Sequence, residues 1–465
     1  MRLLLVGAFP YPHFQGSQVY FQEQAIALRA AGADVSLLTY GRAGEATQAN
    51  RRGRTERRVT RPPGAEHDPR PGVFEPTEVG RSSAEHWRGL DGFEHLAASG
   101  VAARRSLRSG PNWAKPLADL NLAMTLRNAV ALSKNQNDAY DAILTHNAEA
   151  TLVTLSSLPG RRPSIVYCAH TVLARELSAY LKGPELKGFS FGIVDGHEQG
   201  SARRPFASGM TQALDRFGGA LDRGLARRAD AWIALTQSCA RVMECASDRP
   251  GSIVPPPIPD PDHSRERLRA GETARAHGLE AGRFFLYTGN LDAYQELDLL
   301  AGAARELARR SVSPPVLVIA THRGGDPEGP AAAWAASIPG VAFREVDSSR
   351  EMQALITAAR ATLVMRRATG GFPIKLVNSL ALSTPPIAFH AAEWGLSHEV
   401  DSLIASPDRP IESLTEAIER LDQDDVLAKR LAAGARALFL ERHLPEKAAA
   451  ETLSLIEGLR TTGRG

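Results

Sequence analysis

Thr369-Gly370-Gly371-Phe372-Pro373-Ile374-Lys375-Leu376-Val377-Asn378 is the stretch on which the reading of this chain turns. An apolar run ends near Met365, and a helical pattern opens near Phe372, so the stretch reads as a turn from a strand into a helix. Glycine lets backbone approach a ligand closely. Pro373 suits a first helical turn, where its missing N–H costs nothing. A helix start offers unpaired N–H groups and the positive end of a dipole to an anion. Lys375 adds a mobile cation. Together these fit a cradle for a diphosphate. On these residues alone, an ordinary strand-to-helix turn with a surface lysine would look the same.

Outward from this turn the same strand–helix alternation fills the second half of the chain. Strands are expected at 284–289, 316–321, 341–345, 362–365 and 386–389, and the last helices over 411–459. Residues 254–261 hold five prolines and read as an interdomain linker. The first half alternates in the same way. An apolar run at 2–8 is followed by a helix at 17–31, stopped by Gly32, and a strand at 35–40, which is a βαβ start. A helix at 116–133, a strand at 141–146, a helix through Leu158 and a strand at 164–169 ending at His170 continue it. A helix at 212–228 and a strand at 230–236 complete it. Residues 42–115 break the pattern. They carry many arginines, among them Arg51, Arg52, Arg54, Arg57 and Arg58, with few aliphatics, and read as a basic, flexible insertion. A surface loop is the simplest use of it; contact with anionic lipid or an acidic partner is the alternative.

The expected architecture is therefore α/β. Two Rossmann-like, doubly wound domains cover 1–262 and 263–440, and a helix over 441–465 packs back toward the first. Two such domains facing across a cleft bring strand C-termini and helix N-termini together, and such edges bind nucleotides and phosphates.

Composition agrees. A chain of 465 residues exceeds what one core usually supports. Its 43% apolar and 23% charged residues are globular in balance, and a net charge of +3 is no footprint of a nucleic-acid binder. No apolar run reaches the ~18 residues of a membrane span. The start, Met1-Arg2-Leu3-Leu4-Leu5-Val6-Gly7, is too short for a signal peptide and reads as a first strand. The three cysteines, Cys168, Cys239 and Cys245, lack metal spacing and suit a reducing cytoplasm, with packing as their default role. No HExxH, CxxC or clustered Asp motif calls for a metal.

Five segments in order now carry a resemblance. They are Gly7-Ala8-Phe9-Pro10 with Gly16, Val166-Tyr167-Cys168-Ala169-His170-Thr171, and Arg227-Arg228-Ala229-Asp230 through Thr236. Leu286-Tyr287-Thr288-Gly289-Asn290-Leu291-Asp292 is the fourth. Gly371 to Asn378, followed by Leu380 to Pro386, is the fifth. With these the chain resembles the retaining, GT-B-fold glycosyltransferases of the family-4 type. That resemblance implies a nucleotide-sugar donor and a hexosyl-type transfer to a glycan, a lipid-linked or a small-molecule acceptor. It implies no cofactor and no metal, and a cytoplasmic site of action, at most peripheral at the inner membrane face. It implies that Gly16 lies near the donor diphosphate and that His170 is the catalytic-centre histidine contacting the transferred sugar. His146 and Asn147, closing the preceding strand, are candidates for the same cleft. Donor contacts are implied for Asn290, Gly370, Gly371, Phe372, Pro373, Ile374, Lys375 and Asn378.

The chain also departs from the family pattern. Gly370 and Asn378 stand where members carry two glutamates, and Asn290 and Gln295 or Glu296 where they carry a basic pair. Asn378 can still bond a ribose hydroxyl, whereas Gly370 cannot replace a carboxylate. Arg366 and Arg367 are candidates to supply the missing charge. A divergent transferase is the first reading, and a silent scaffold that binds nucleotide sugar or a partner enzyme is the alternative. A sugar-nucleotide epimerase of the same fold would want more cleft carboxylates, and Gly370 argues against it.

Overall fold

The computed structural model describes residues 1–11, 16–40, 93–98, 115–160, 162–174, 205–291, 295–322, 330–367 and 371–461. Gly370, most of the 42–115 stretch and residues 182–204 lie outside the described residues.

The first sheet is built from β1 (Arg2–Gly7), β2 (Asp34–Thr39), β3 (Glu94–Ala97), β4 (Ala142–His146), β5 (Ser164–Ala169), β6 (Ala231–Ala234) and β7 (Gly251–Ile253). Its order is β3-β2-β1-β4-β5-β6-β7 and every described pairing is parallel. Leu3, Leu4, Leu5 and Val6 are fully buried, as expected of a central parallel strand covered on both faces. Its helices are α1 (Gly16–Ala30), α2 (Lys115–Asn135), α3 (Asn147–Ser157), α4 (Pro205–Arg228) and α5 (Gln237–Ala246).

β3 corrects the sequence reading, because it falls inside the stretch taken as a flexible insertion. No apolar run marks it. Polar side chains hold this edge strand in place. Ser36 Oγ donates to Glu94 Oε2 at 2.8 Å, and Thr39 Oγ1 lies 2.8 Å from His95 Nε2.

The second domain opens with α6 (His263–Ala276) and β8 (Phe284–Thr288). It continues through α7 (Leu297–Arg310), β9 (Val316–His322), α8 (Pro330–Ala336), β10 (Val341–Val346), α9 (Ser349–Ala358), β11 (Ala361–Val364), α10 (Ile374–Ala381), β12 (Pro386–Ala388) and β13 (Leu403–Ile404). The order is β10-β9-β8-β11-β12-β13, again all parallel. The strand order turns around β8 and β11, so the ends of those strands, at Gly289 and Met365, flank the switch point where open α/β sheets bind ligands.

α11 (Pro410–Gln423), α12 (Asp425–Arg442) and α13 (Pro445–Thr461) follow. α13 crosses back to the first domain. Its Ala448, Ala449, Ile456 and Leu459 share one apolar cluster with Phe21, Ala25 and Leu28 of α1. His443, between α12 and α13, fixes the crossover: its Nδ1 lies 2.9 Å from the Pro256 carbonyl, and its own carbonyl accepts from the Ile258 amide at 3.1 Å. A further cluster joins Tyr20 and Leu235 of the first domain to Phe372, Leu376 and Phe439 of the second. Among the described residues no helix is long and apolar enough to cross a membrane.

Candidate functional site

The two domains meet at the glycine loop. Thr171 and Gly371 form an antiparallel bridge across the cleft. A Cβ built on Gly371 would lie 2.8 Å from Thr171 Cγ2 and 2.9 Å from the His170 carbonyl oxygen, so only glycine allows this approach. On its other side the Gly371 carbonyl accepts from Trp394 Nε1 at 3.2 Å. The loop of one domain is thus fastened beside the histidine of the other.

α10 begins two residues later than the sequence suggested. Pro373 is its N-cap, with extended backbone, and Ile374 its first helical residue. Proline here offers no side-chain cap, and Leu376 N bonds back to the Pro373 carbonyl at 2.9 Å. Helix geometry leaves the Ile374 and Lys375 N–H groups without intrahelical acceptors. Gly16 opens α1 directly opposite: a Cβ on it would lie 3.4 Å from Ile374 Cγ1. The starts of two helices are therefore close together, and each carries a positive dipole end and N–H groups without intrahelical acceptors.

Lys375 is the cation at this point. Its Nζ donates to Gln295 Oε1 at 2.8 Å and sits 3.9 Å from the centre of the Tyr287 ring. Gly289 makes room for it. Its φ of +126° is left to glycine, and its missing Cβ would stand 3.3 Å from Lys375 Nζ. Gln295 is itself held by donating Nε2 to Asn290 Oδ1 at 2.9 Å, while Tyr287 donates to the Asn290 carbonyl at 2.6 Å. Asn290 and Gln295 thus form an amide bracket around the lysine. Burial, with Arg366 nearby, pulls the Lys375 ammonium down to about 7 from its ordinary value near 10.5. An arriving diphosphate would draw the proton back.

Arg367 is committed elsewhere. Its Nε and Nη2 both donate to Glu296 Oε1, at 2.9 and 2.7 Å, and its backbone N–H donates to Glu296 Oε2 at 2.7 Å. Glu296 occupies the left-handed region (φ 52°), conformational strain held by that pairing. Arg366 is half-buried beside Lys375. Asn378 is half-buried in α10, and Phe372 packs into the interdomain cluster with Tyr20.

Across the cleft, His146 Nδ1 and His170 Nε2 are 3.0 Å apart, with ring planes at 89°. Tyr20 and Phe21 of α1 pack edgewise on them. Burial pushes His170 down to about 3 and holds His146 well below the usual imidazole range, with its partner ring adding to the effect. Both are therefore neutral at working pH. Asn147 follows at φ 74°, a left-handed turn that asparagine tolerates, and carries β4 straight into α3.

Tyr20, Trp394 and Glu393 were not singled out by sequence reading, and Tyr287 was quoted there without a role of its own. Glu393 accepts a short hydrogen bond from Ser238 Oγ across the domain boundary. Tyr20 sits one helical turn after Gly16, the one signal that could have found it.

The model of the glycosyl transferase 4-like domain matches residues 15–254, more than half of the chain. The chain belongs to this glycosyltransferase family. The model of the glycosyl transferases group 1 matches residues 282–424. No curated protein sequence matches this glycosyltransferase chain significantly. Among solved structures, HepE of Anabaena in complex with UDP is similar with a TM-score of 0.60 at 13% identity, over 98% of this chain and 100% of that one. Sucrose-phosphate synthase from Thermosynechococcus elongatus gives 0.65 at 15%, over 99% of both chains. WaaG, a glycosyltransferase involved in lipopolysaccharide biosynthesis, gives 0.59 at 16%, over 96% and 98%. At these identities the likeness is one of fold, and it is the GT-B arrangement of two Rossmann-like domains.

Proposed function

We propose that this chain is a retaining glycosyltransferase that moves a hexosyl group from a nucleoside diphosphate sugar to a hydroxyl of a glycan, lipid-linked or small-molecule acceptor. The observation that carries this is the Thr171–Gly371 bridge, which sets the His146–His170 pair beside two neighbouring helix N-termini and Lys375. HepE of Anabaena has been captured with UDP-glucose, which supports a donor of that class here.

The chain's own groups would divide the work. Amides of Ile374 and Lys375, the start of α1 and the Lys375 ammonium stabilise the diphosphate as it gains charge on leaving. His170, neutral and fixed, hydrogen-bonds the sugar. Asn378 offers an amide to the ribose. On this reading the leaving diphosphate takes the acceptor proton on the same face as it departs, which keeps the anomeric configuration. Closure across the bridge excludes water that would otherwise hydrolyse the donor.

A silent scaffold is the second reading. It is favoured by Asn290 and Gln295 in place of the basic pair and by the engagement of Arg367 with Glu296. Incubation of purified protein with a panel of nucleotide sugars separates the two. Consumption of a donor with release of the nucleoside diphosphate, and a product of unchanged anomeric configuration by NMR, is expected. Nucleotide binding with no turnover on any donor supports the scaffold, and an inverted product removes the retaining mechanism.

A further inference from the structure

His146 is buried completely, and the reaction just described does not use it. Its ring stands at the end of β4 between Phe21, at 4.8 Å, and His170, at 5.1 Å centre to centre. One nitrogen, Nδ1, meets His170 Nε2 at 3.0 Å. The other, Nε2, has no hydrogen-bond partner and no solvent.

These facts constrain where the protons sit. Two neutral imidazoles carry two N–H groups, and exactly one nitrogen of the contacting pair bears a proton. If His146 were protonated on Nε2, that N–H would be a buried donor with no acceptor. His170 would then donate through its own Nε2 and present a bare Nδ1. If His146 is protonated on Nδ1, it donates to His170 Nε2, and the orphan left behind is a buried acceptor. Orphaned buried N–H groups are the rarer defect in folded proteins. Burial holds both rings neutral, so the doubly protonated form does not compete.

We infer that His146 is a positioning residue that holds His170 as the Nδ1–H tautomer, so that His170 presents a fixed hydrogen-bond donor on the side away from His146. Such a donor suits a ligand oxygen that accepts, as a sugar hydroxyl oxygen does. The perpendicular rings and the edgewise packing of Tyr20 and Phe21 leave neither imidazole free to flip without losing the 3.0 Å contact. The catalytic consequence rests on the transferase reading; the tautomer itself does not.

The test is side-chain ¹H–¹⁵N correlation spectroscopy of the full-length protein, with His170 signals assigned by their loss in His170→Gln. Wild type is expected to show His170 protonated at Nδ1 and bare at Nε2. His146→Leu should give a mixture of tautomers. It should also lower kcat on the order of tenfold, the worth of about one hydrogen bond, with KM for the donor nearly unchanged. His146→Asn, whose amide can donate from nearly the Nδ1 position, should restore most of both. A wild-type spectrum with His170 protonated at Nε2 overturns the inference without any variant. So does a His146→Leu protein that keeps the wild-type tautomer. If the tautomer is as stated but no nucleotide sugar is turned over, the inference stands and the transferase reading falls.

Discussion

Gly371→Ala isolates the bridge between the domains. The cost is steric. The new methyl would stand 2.8 Å from Thr171 Cγ2 and 2.9 Å from the His170 carbonyl oxygen, and the carbonyl is backbone that cannot swing away. Overpacking of this kind costs about 1–3 kcal/mol. Both contacts cross from one domain to the other, so opening the cleft relieves them. The penalty therefore falls on the closed form and not on either core. At about 1.4 kcal/mol per tenfold, kcat/KM for the donor should drop roughly 5- to 150-fold. The melting temperature should stay within about 2 °C of wild type, since neither core is altered. Steady-state release of nucleoside diphosphate and differential scanning calorimetry, on the same preparations, measure the two. Full activity in the variant would refute the claim that the bridge belongs to the working form. A large fall in melting temperature would show that the contact supports folding instead of closure.

Other perturbations act on single groups. Lys375→Met should raise the melting temperature more at pH 6 than at pH 9. The folded-state ammonium titrates near 7 and the unfolded one near 10.5, so burying it opposes folding most where both are charged, and the opposition shrinks as pH rises between the two values; thermal melts at the two pH values decide it. By the same titration, nucleoside diphosphate affinity of wild type should weaken as pH rises through about 7 to 9, and this slope should vanish in Lys375→Met, as read by calorimetric titration. Glu296→Gly should relieve the left-handed strain at that position and release Arg367, tightening nucleoside diphosphate binding several-fold with little change in stability; unchanged affinity would mean that Arg367 does not reach the diphosphate. His170→Gln should lower kcat on the order of tenfold while leaving the acid limb of the pH profile in place, because a group held near 3 does not titrate in the working range.

The parallel strands were legible because buried strands announce themselves as apolar runs. Leu3 to Val6, Ile165 to Ala169 and Phe284 to Tyr287 are all enclosed on both faces. β3 was not legible, since Glu94 and His95 are held by hydroxyls of β2 and by no periodicity of their own. At the site, Gly371 could be read as a place of close approach, but not what approaches it. Thr171 is two hundred residues earlier, and only the fold brings it there. Arg367 looked like a free cation in the sequence; its capture by Glu296 depends on a left-handed backbone at Glu296 that no pattern signals. Asn290 and Gln295 looked like losses, and in the folded chain they bracket the lysine that remains.

The central claim is that a donor diphosphate is held at the start of α10 by Lys375. Turnover of a panel of nucleotide sugars by wild type and Lys375→Ala, side by side, tests it most directly. Loss of one charge-assisted contact of about 1.5–3 kcal/mol predicts consumption of at least one donor by wild type and a rate roughly 10- to 150-fold lower in the variant. Turnover that is indifferent to Lys375→Ala would contradict the claim.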